Sequence, residues 1–218
     1  MNKCIIVCAG EFVPIEIVRD ETDLVIAADG GYEYCMQVGV VPDLIVGDFD
    51  SISPMLREEI FGIKEREPER VIVLPAEKDD TDTMAAIRIG LERGFEKFYL
   101  YAAGGGRMDH TIANLESLMF IKQHGGRGYL MAHDMLAVVI ANEEISFHPG
   151  MQGTCSVFSM GEKAEGVTIR GMKYNVEDAT LTNGFPLGQS NEFTEAQGTI
   201  SVGNGALLII VYWSANML

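Results

Sequence analysis

Apolar residues in the first half of the chain come in short, nearly unbroken runs separated by mixed stretches. The runs are KCIIVCA (Lys3–Ala9), LVIAA (Leu24–Ala28), DLIVG (Asp43–Gly47), RVIVLP (Arg70–Pro75) and KFYLYAA (Lys97–Ala103). A strand solvated on one face alternates apolar and polar side chains, whereas a strand covered on both faces does not, so these runs predict a buried parallel sheet. Between them the pattern takes on a helical period, predicting helices over Tyr32–Val38, Pro54–Phe61, Thr81–Arg93 and His110–His124. In the third, Met84, Ile87, Arg88 and Leu91 recur at helical spacing and Gly94 supplies the stop signal. Strand and helix in strict alternation is the signature of βαβ units.

Past Gly125 the texture changes. GYLMAH, AVVIA, TCSVFSM, GVTIRGM, ATLT, GTISV and ALLIIVYW are divided by Gly, Asn and Pro, and no helical period connects them. Short strands at turn-rich intervals predict a sandwich or open barrel, with Thr182-Asn183-Gly184 and Gly203-Asn204-Gly205 as hairpin signals. The expected fold class is therefore α/β: a parallel-sheet α/β domain over 1–125 followed by an all-β sandwich domain over 126–218, divided at Gly125-Gly126. Trp213, near the end of the last apolar strand, is expected to pack in the core.

Composition fits a globular chain, with 47% hydrophobic and 22% charged residues. Charge narrows the class of partner. The net charge is −16, and 23 of the 32 acidic residues lie before Gly125. A nucleic-acid or anionic-membrane binder needs a basic face, so neither partner is expected. The four cysteines (Cys4, Cys8, Cys35, Cys155) follow neither a disulfide nor a zinc spacing and read as buried free thiols. The opening MNKCIIVCAGEF lacks the apolar core of a signal peptide, and no apolar run approaches the roughly 20 residues of a membrane helix. A cytoplasmic location is expected.

The aspartates carry the chemistry. Asp29 follows LVIAA, Asp48 and Asp50 follow DLIVG, Asp79, Asp80 and Asp82 follow VIVLP, and Asp109 follows KFYLYAA. Ligands of open parallel sheets bind outside the carboxyl ends of the strands, so four loops would deliver carboxylates to one edge. Like charges gathered this way raise one another's pKa and cost stability unless a cation compensates. Oxygen donors without His or Cys point to Mg²⁺, which is typically shared between one or two carboxylates and substrate phosphates. Gly30-Gly31 and Gly104-Gly105-Gly106 let backbone N–H groups approach an anion, while Arg107 and Lys78 add positive charge. His110 and Asn114 lie one helical turn apart and can both face that loop. No Walker A loop occurs, so the phosphate site is of another kind.

Taken in order, AADGG (Ala27–Gly31), GDFDS (Gly47–Ser51), KDDTD (Lys78–Asp82) and GGRMDHTIAN (Gly105–Asn114) resemble the thiamine pyrophosphokinase family. SNEF (Ser190–Phe193) and the strand ending GALLIIVY look like that family's thiamine-binding sandwich. The resemblance covers nearly the whole chain. It implies a homodimer whose active site is shared between subunits, and Mg²⁺-dependent transfer of diphosphate from ATP to the hydroxyl of thiamine, giving AMP. By that resemblance Asp48, Asp50 and Asp82 are metal and catalytic residues, and Asp79 joins them in catalysis. Asp29, Gly30, Gly31, Lys78, Thr81, Arg107, Asp109, His110 and Asn114 would hold the nucleotide, and Ser190 and Asn191 the thiamine. Either Asp82 or Asp50 would serve as base for the hydroxyl proton. Two alternatives stand beside this reading: another metal-dependent phosphotransferase or pyrophosphatase on the same catalytic half, or a non-catalytic thiamine or nucleotide sensor.

Overall fold

A computed structural model describes residues 2–12, 16–77 and 79–213 of the chain. They form two compact units, Met1–His133 and Asp134–Leu218. In the first, the strands are β1 (Cys4–Val7), β2 (Leu24–Ala28), β3 (Leu44–Gly47), β4 (Val71–Val73), β5 (Lys97–Tyr101) and β6 (Arg127–Met131). They lie in the order β6-β5-β1-β2-β3-β4, and every pair is parallel. β1, β2 and β3 are buried at every position, as their unbroken apolar sequences require.

Four helices connect the strands: α1 (Gly31–Gln37), α2 (Pro54–Arg66), α3 (Asp82–Glu92) and α4 (Met108–Gln123). Ile5, Val7, Val25, Ala27 and Ile45 pack against Tyr32, Leu56, Ile60 and Ile63 of α1 and α2. α3 lies against the other face. A Cβ at Gly31 would collide with the carbonyl of Val7, so only glycine lets α1 begin so close to β1. Ser53 caps α2 by accepting from Leu56 N at 3.3 Å, with Pro54 at the first helical position. α2 continues to Arg66, five residues beyond the expected Phe61, because Ile63 extends its buried face.

The boundary expected at Gly125-Gly126 and the division between units differ by eight residues. GYLMAH, assigned to the all-β half by its texture, supplies most of β6, which pairs residue for residue with β5 from Lys97↔Arg127 to Tyr101↔Met131. One more parallel strand on the edge of the first sheet moves the junction to His133.

The second unit is a sandwich of antiparallel strands. One sheet has the order β12-β9-β14-β7 and the other β11-β10-β13-β8. The strands are β7 (Met135–Ala141), β8 (Glu144–Ser146), β9 (Thr154–Ser159), β10 (Lys163–Arg170), β11 (Val176–Thr182), β12 (Gly188–Glu192), β13 (Thr199–Ser201) and β14 (Ala206–Tyr212). ALLIIVY fills β14, which pairs with β7 along its whole length from Ala206↔Ala141 to Tyr212↔Met135. Asn183-Gly184 turns between Thr182 and Phe185, which form an isolated bridge, and Asn204 bridges to Glu165, but neither segment joins two paired strands. β11 and β12 belong to different sheets, as do β13 and β14, so these turns carry the chain across the sandwich. Trp213 is half-buried, and its backbone N–H donates to Asp134 O at 3.0 Å.

Candidate active site

In the first unit the chain builds outward from β1 through β2 and β3 to β4, then returns to β1's other side with β5 and β6. That reversal is a topological switch point, where loops leave neighbouring strands in opposite directions and open a crevice. A cavity of about 210 Å³ lies there. Its wall comes from Cys8, Ala9 and Gly10 after β1, Ala28 at the end of β2 and Asp29 after it, Asp48 after β3, and Ala103 and Gly105 after β5. Thr81, Asp82 and Thr83 at the start of α3 and His110 and Asn114 of α4 complete it.

Three carboxylates converge: Asp29, Asp48 and Asp82 each offer an oxygen, and these oxygens lie within 4.8 Å of one another. Asp29 Oδ2 accepts from Ser51 Oγ at 2.6 Å. Asp29 Oδ1 is buried and has no hydrogen-bond partner among the described residues. A buried oxygen without a donor is costly, and a hard cation would satisfy it. The donor set fits Mg²⁺: oxygen ligands only, from separate loops, beside a cavity open to substrate.

The backbone at these loops is strained. Asp29, Phe49 and Ala102 have left-handed φ values of 49°, 59° and 49°. Non-glycine residues rarely adopt that conformation, and each instance costs on the order of 1–3 kcal/mol, so it persists where surrounding structure enforces it. The enforcing contacts are visible. Asp29 N donates to Val46 O at 2.8 Å, and Phe49 buries its ring completely, edge-on to Phe61 at 6.3 Å. Gly10 N reaches Ala102 O at 2.8 Å, tying the end of β1 to the end of β5.

The expected site residues divide into those that meet at the cavity and those that do not. Asp29, Asp48, Thr81, Asp82, His110 and Asn114 line it. Thr81 also caps α3, its Oγ1 accepting from Met84 N at 3.1 Å. Asn114 is buried, and its side chain donates to Ala103 O at 2.7 Å. Asp50 stands outside the carboxylate group, its backbone N–H donating to Asp48 Oδ1 at 3.3 Å. Asp29, rather than the Asp50 that the resemblance implied, lies with Asp48 and Asp82, and left-handed Phe49 turns the chain between the two acids of GDFDS.

Gly30, Gly31 and Asp79 are not among the cavity-lining residues, and Asp80 is held by Arg88 Nε at 2.8 Å. Arg107 and Asp109 hold each other through two hydrogen bonds, at 3.2 and 2.6 Å, on the exposed rim. Those bonds keep the Asp109 carboxyl well below the usual carboxylate range, at about 2. Lys78 lies outside the described residues.

Cys8, Ala9, Gly10 and Thr83 were missed. The strand-end rule applied to β1 would have found the first three, but that loop carries no carboxylate to draw attention. Cys8 contributes a neutral thiol: burial pushes its pKa up to about 12, although Thr83 Oγ1 donates to its sulfur at 3.5 Å.

In the second unit, Ser190 sits exposed in a left-handed conformation with φ 59°, beside an irregularity in the β12–β9 pairing between Gly188 and Asn191. Asn191 is spent on structure. Its Oδ1 accepts from Tyr174 N and Glu192 N, each at 2.9 Å, and its Nδ2 donates to Tyr174 O at 2.7 Å. A buried amide so engaged pins one backbone segment to another and offers little to a ligand.

A switch-point cavity on a parallel α/β sheet, lined by carboxylates that could hold a cation, is the arrangement of an α/β enzyme site. A family profile described as the catalytic domain of thiamin pyrophosphokinase matches residues 16–130, and one described as its vitamin B1 binding domain matches residues 142–207. The chain belongs to the thiamin pyrophosphokinase family, whose reaction transfers diphosphate from ATP to thiamine. Thiamine pyrophosphokinase of Bacillus subtilis is 29% identical over 199 residues, covering 88% of each chain. The fold agrees with a crystal structure of the Bacillus subtilis enzyme at a TM-score of 0.83 and 24% identity, over 98% of this chain and 100% of that one. A Geobacillus thermodenitrificans thiamin pyrophosphokinase structure matches over the full length of both chains, at 25% identity and a TM-score of 0.78.

Proposed function

We propose that the cavity at the ends of β1, β2, β3 and β5 is where this chain transfers diphosphate from ATP to the hydroxyl of thiamine, with Mg²⁺ held by Asp29, Asp48 and Asp82. The observation that carries the reading is the convergence of those three carboxylates beside a buried, unpartnered Asp29 oxygen. When bound, the cation would neutralise phosphate charge and help align the transferring group.

In the reaction the thiamine hydroxyl oxygen forms a bond to the β-phosphorus. The bond from that phosphorus to the oxygen bridging it to the α-phosphorus breaks, and its electrons leave with AMP. The hydroxyl proton needs an acceptor. Asp82, at the cavity, or Asp50, on the loop after β3, would take it. Phosphate oxygens would meet the backbone of Gly104–Gly106, the first turn of α4 and His110, with Arg107 adding charge from the rim and Lys78 adding its own. Asn114 keeps α4 and this loop in register.

On the thiamine side we assign contact to Ser190, with Asn191 holding its strand in place. The family resemblance supports a homodimer whose active site is shared between subunits. Four free, buried cysteines suit a reducing cytoplasm, and no described helix is long and apolar enough to cross a membrane. The test is product analysis. With ATP, Mg²⁺ and thiamine the expected products are AMP and thiamine diphosphate. ADP, or AMP formed equally without thiamine, would overturn the reading.

A further inference from the structure

Asp29 is held at both its backbone and its side chain, by β3 and the GDFDS loop that follows it. The backbone of Asp29 is left-handed and donates to Val46 O at 2.8 Å, which sets the direction in which its side chain leaves β2. β3 approaches closely there: a Cβ on Gly47 would lie 3.1 Å from Asp29 Cα. Two residues on, Phe49 turns the loop through its own left-handed conformation and anchors the turn with a fully buried ring. That turn brings Ser51 over the end of β2, where its Oγ donates to Asp29 Oδ2 at 2.6 Å. The other oxygen, Oδ1, is left buried and without a partner among the described residues.

We propose that Ser51 is a positioning residue of the cation site. By engaging Oδ2, its hydroxyl fixes the rotation of the Asp29 carboxylate and leaves Oδ1 for the ion shared with Asp48 and Asp82. A ligating carboxylate that is free to rotate binds less well than one held by an outer hydrogen bond, and losing such a bond typically costs about 10–100-fold in metal affinity. The inference rests on the proposed assignment of Asp29, Asp48 and Asp82 to a divalent cation.

The test is a Mn²⁺ titration of the full chain without nucleotide, read by electron paramagnetic resonance of the free ion. It compares wild type, Ser51→Ala, Ser51→Thr and Asp82→Asn. Ser51→Ala should bind Mn²⁺ about tenfold or more weakly, and Ser51→Thr, which keeps the hydroxyl, should bind nearly as wild type. The Mg²⁺ concentration giving half-maximal activity should rise in Ser51→Ala, while kcat at saturating Mg²⁺ is largely restored. A loop damaged in general would lower kcat at every Mg²⁺ concentration. Wild-type Mn²⁺ affinity in Ser51→Ala together with weakened affinity in Asp82→Asn would overturn the positioning role and leave the cation site standing. Wild-type affinity in both variants would overturn the cation site as well.

Discussion

The side-chain amide of Asn114, inside α4, donates a 2.7 Å hydrogen bond to the carbonyl of Ala103, just past β5. The bond is buried, and it spans the glycine loop that carries the candidate phosphate-binding backbone. Through it, the position of His110 one turn earlier on α4 depends on the strand end. Asn114→Ala leaves a buried carbonyl without its donor, which should cost about 1–3 kcal/mol. Urea unfolding reads this directly, and turnover should fall with it. A variant as stable and as active as wild type would mean that the tether does not organise the loop.

The three converging carboxylates repel one another when no cation is present. Asp48→Asn and Asp82→Asn should therefore leave metal-free stability unchanged or slightly higher. In both variants the rise in Tm that Mg²⁺ gives wild type by binding only the folded state should shrink or vanish. Turnover should drop by about 10²-fold or more. Thermal scans with and without MgCl₂, paired with AMP formation, check both halves of the prediction.

Asp109 and Arg107 form an exposed pair, and hydrogen bonds from Arg107 hold the carboxyl at about 2. A depressed carboxylate pKa means that the pair persists as pH falls and is lost only as pH approaches that value. The acid limb of the pH–rate profile, expected in the ordinary carboxylate range of about 4–5, must then come from other groups. Asp109→Asn should leave its position unchanged. A displaced limb would mean that Asp109 titrates within the working range.

Burial pushes the thiols of Cys4, Cys8, Cys35 and Cys155 from an ordinary 9.0 up to about 12. In the native protein near neutral pH they should resist a thiol reagent, and all four should react in denaturant. A thiol whose folded pKa is raised favours the folded state fully below the unfolded value. That contribution is lost as pH climbs from 9.0 toward about 12. The urea midpoint should accordingly fall over that alkaline interval.

Much of the first unit is legible in the apolar pattern, because a strand buried on both faces has little choice of composition. LVIAA is β2 from end to end, and the helical period of Thr81–Arg93 brackets α3 within a residue at either end. Hydrophobicity alone is a poorer guide where the chain changes partner. β6 has the texture of the sandwich yet pairs with β5, and the two Asn-Gly turns connect strands of opposite sheets, choices made by tertiary packing. The strand-end rule brought Asp29, Asp48 and Asp82 to one place. It could not foresee that left-handed Phe49 would separate Asp50 from Asp48, or that Arg107 would engage Asp109. Nor could it tell that Asn191 would be consumed by the backbone of Tyr174, since hydrogen-bond partners distant in sequence leave no mark in a short motif.

Under the proposed function the carboxylate-lined cavity directs attack at the β-phosphorus of ATP. The most direct measurement follows ATP radiolabelled at its β-phosphorus through a single turnover with thiamine and Mg²⁺. Label should appear in thiamine diphosphate and not in AMP, and Asp48→Asn should show no transfer on the same timescale. Labelled ADP, or full transfer by Asp48→Asn, would contradict it.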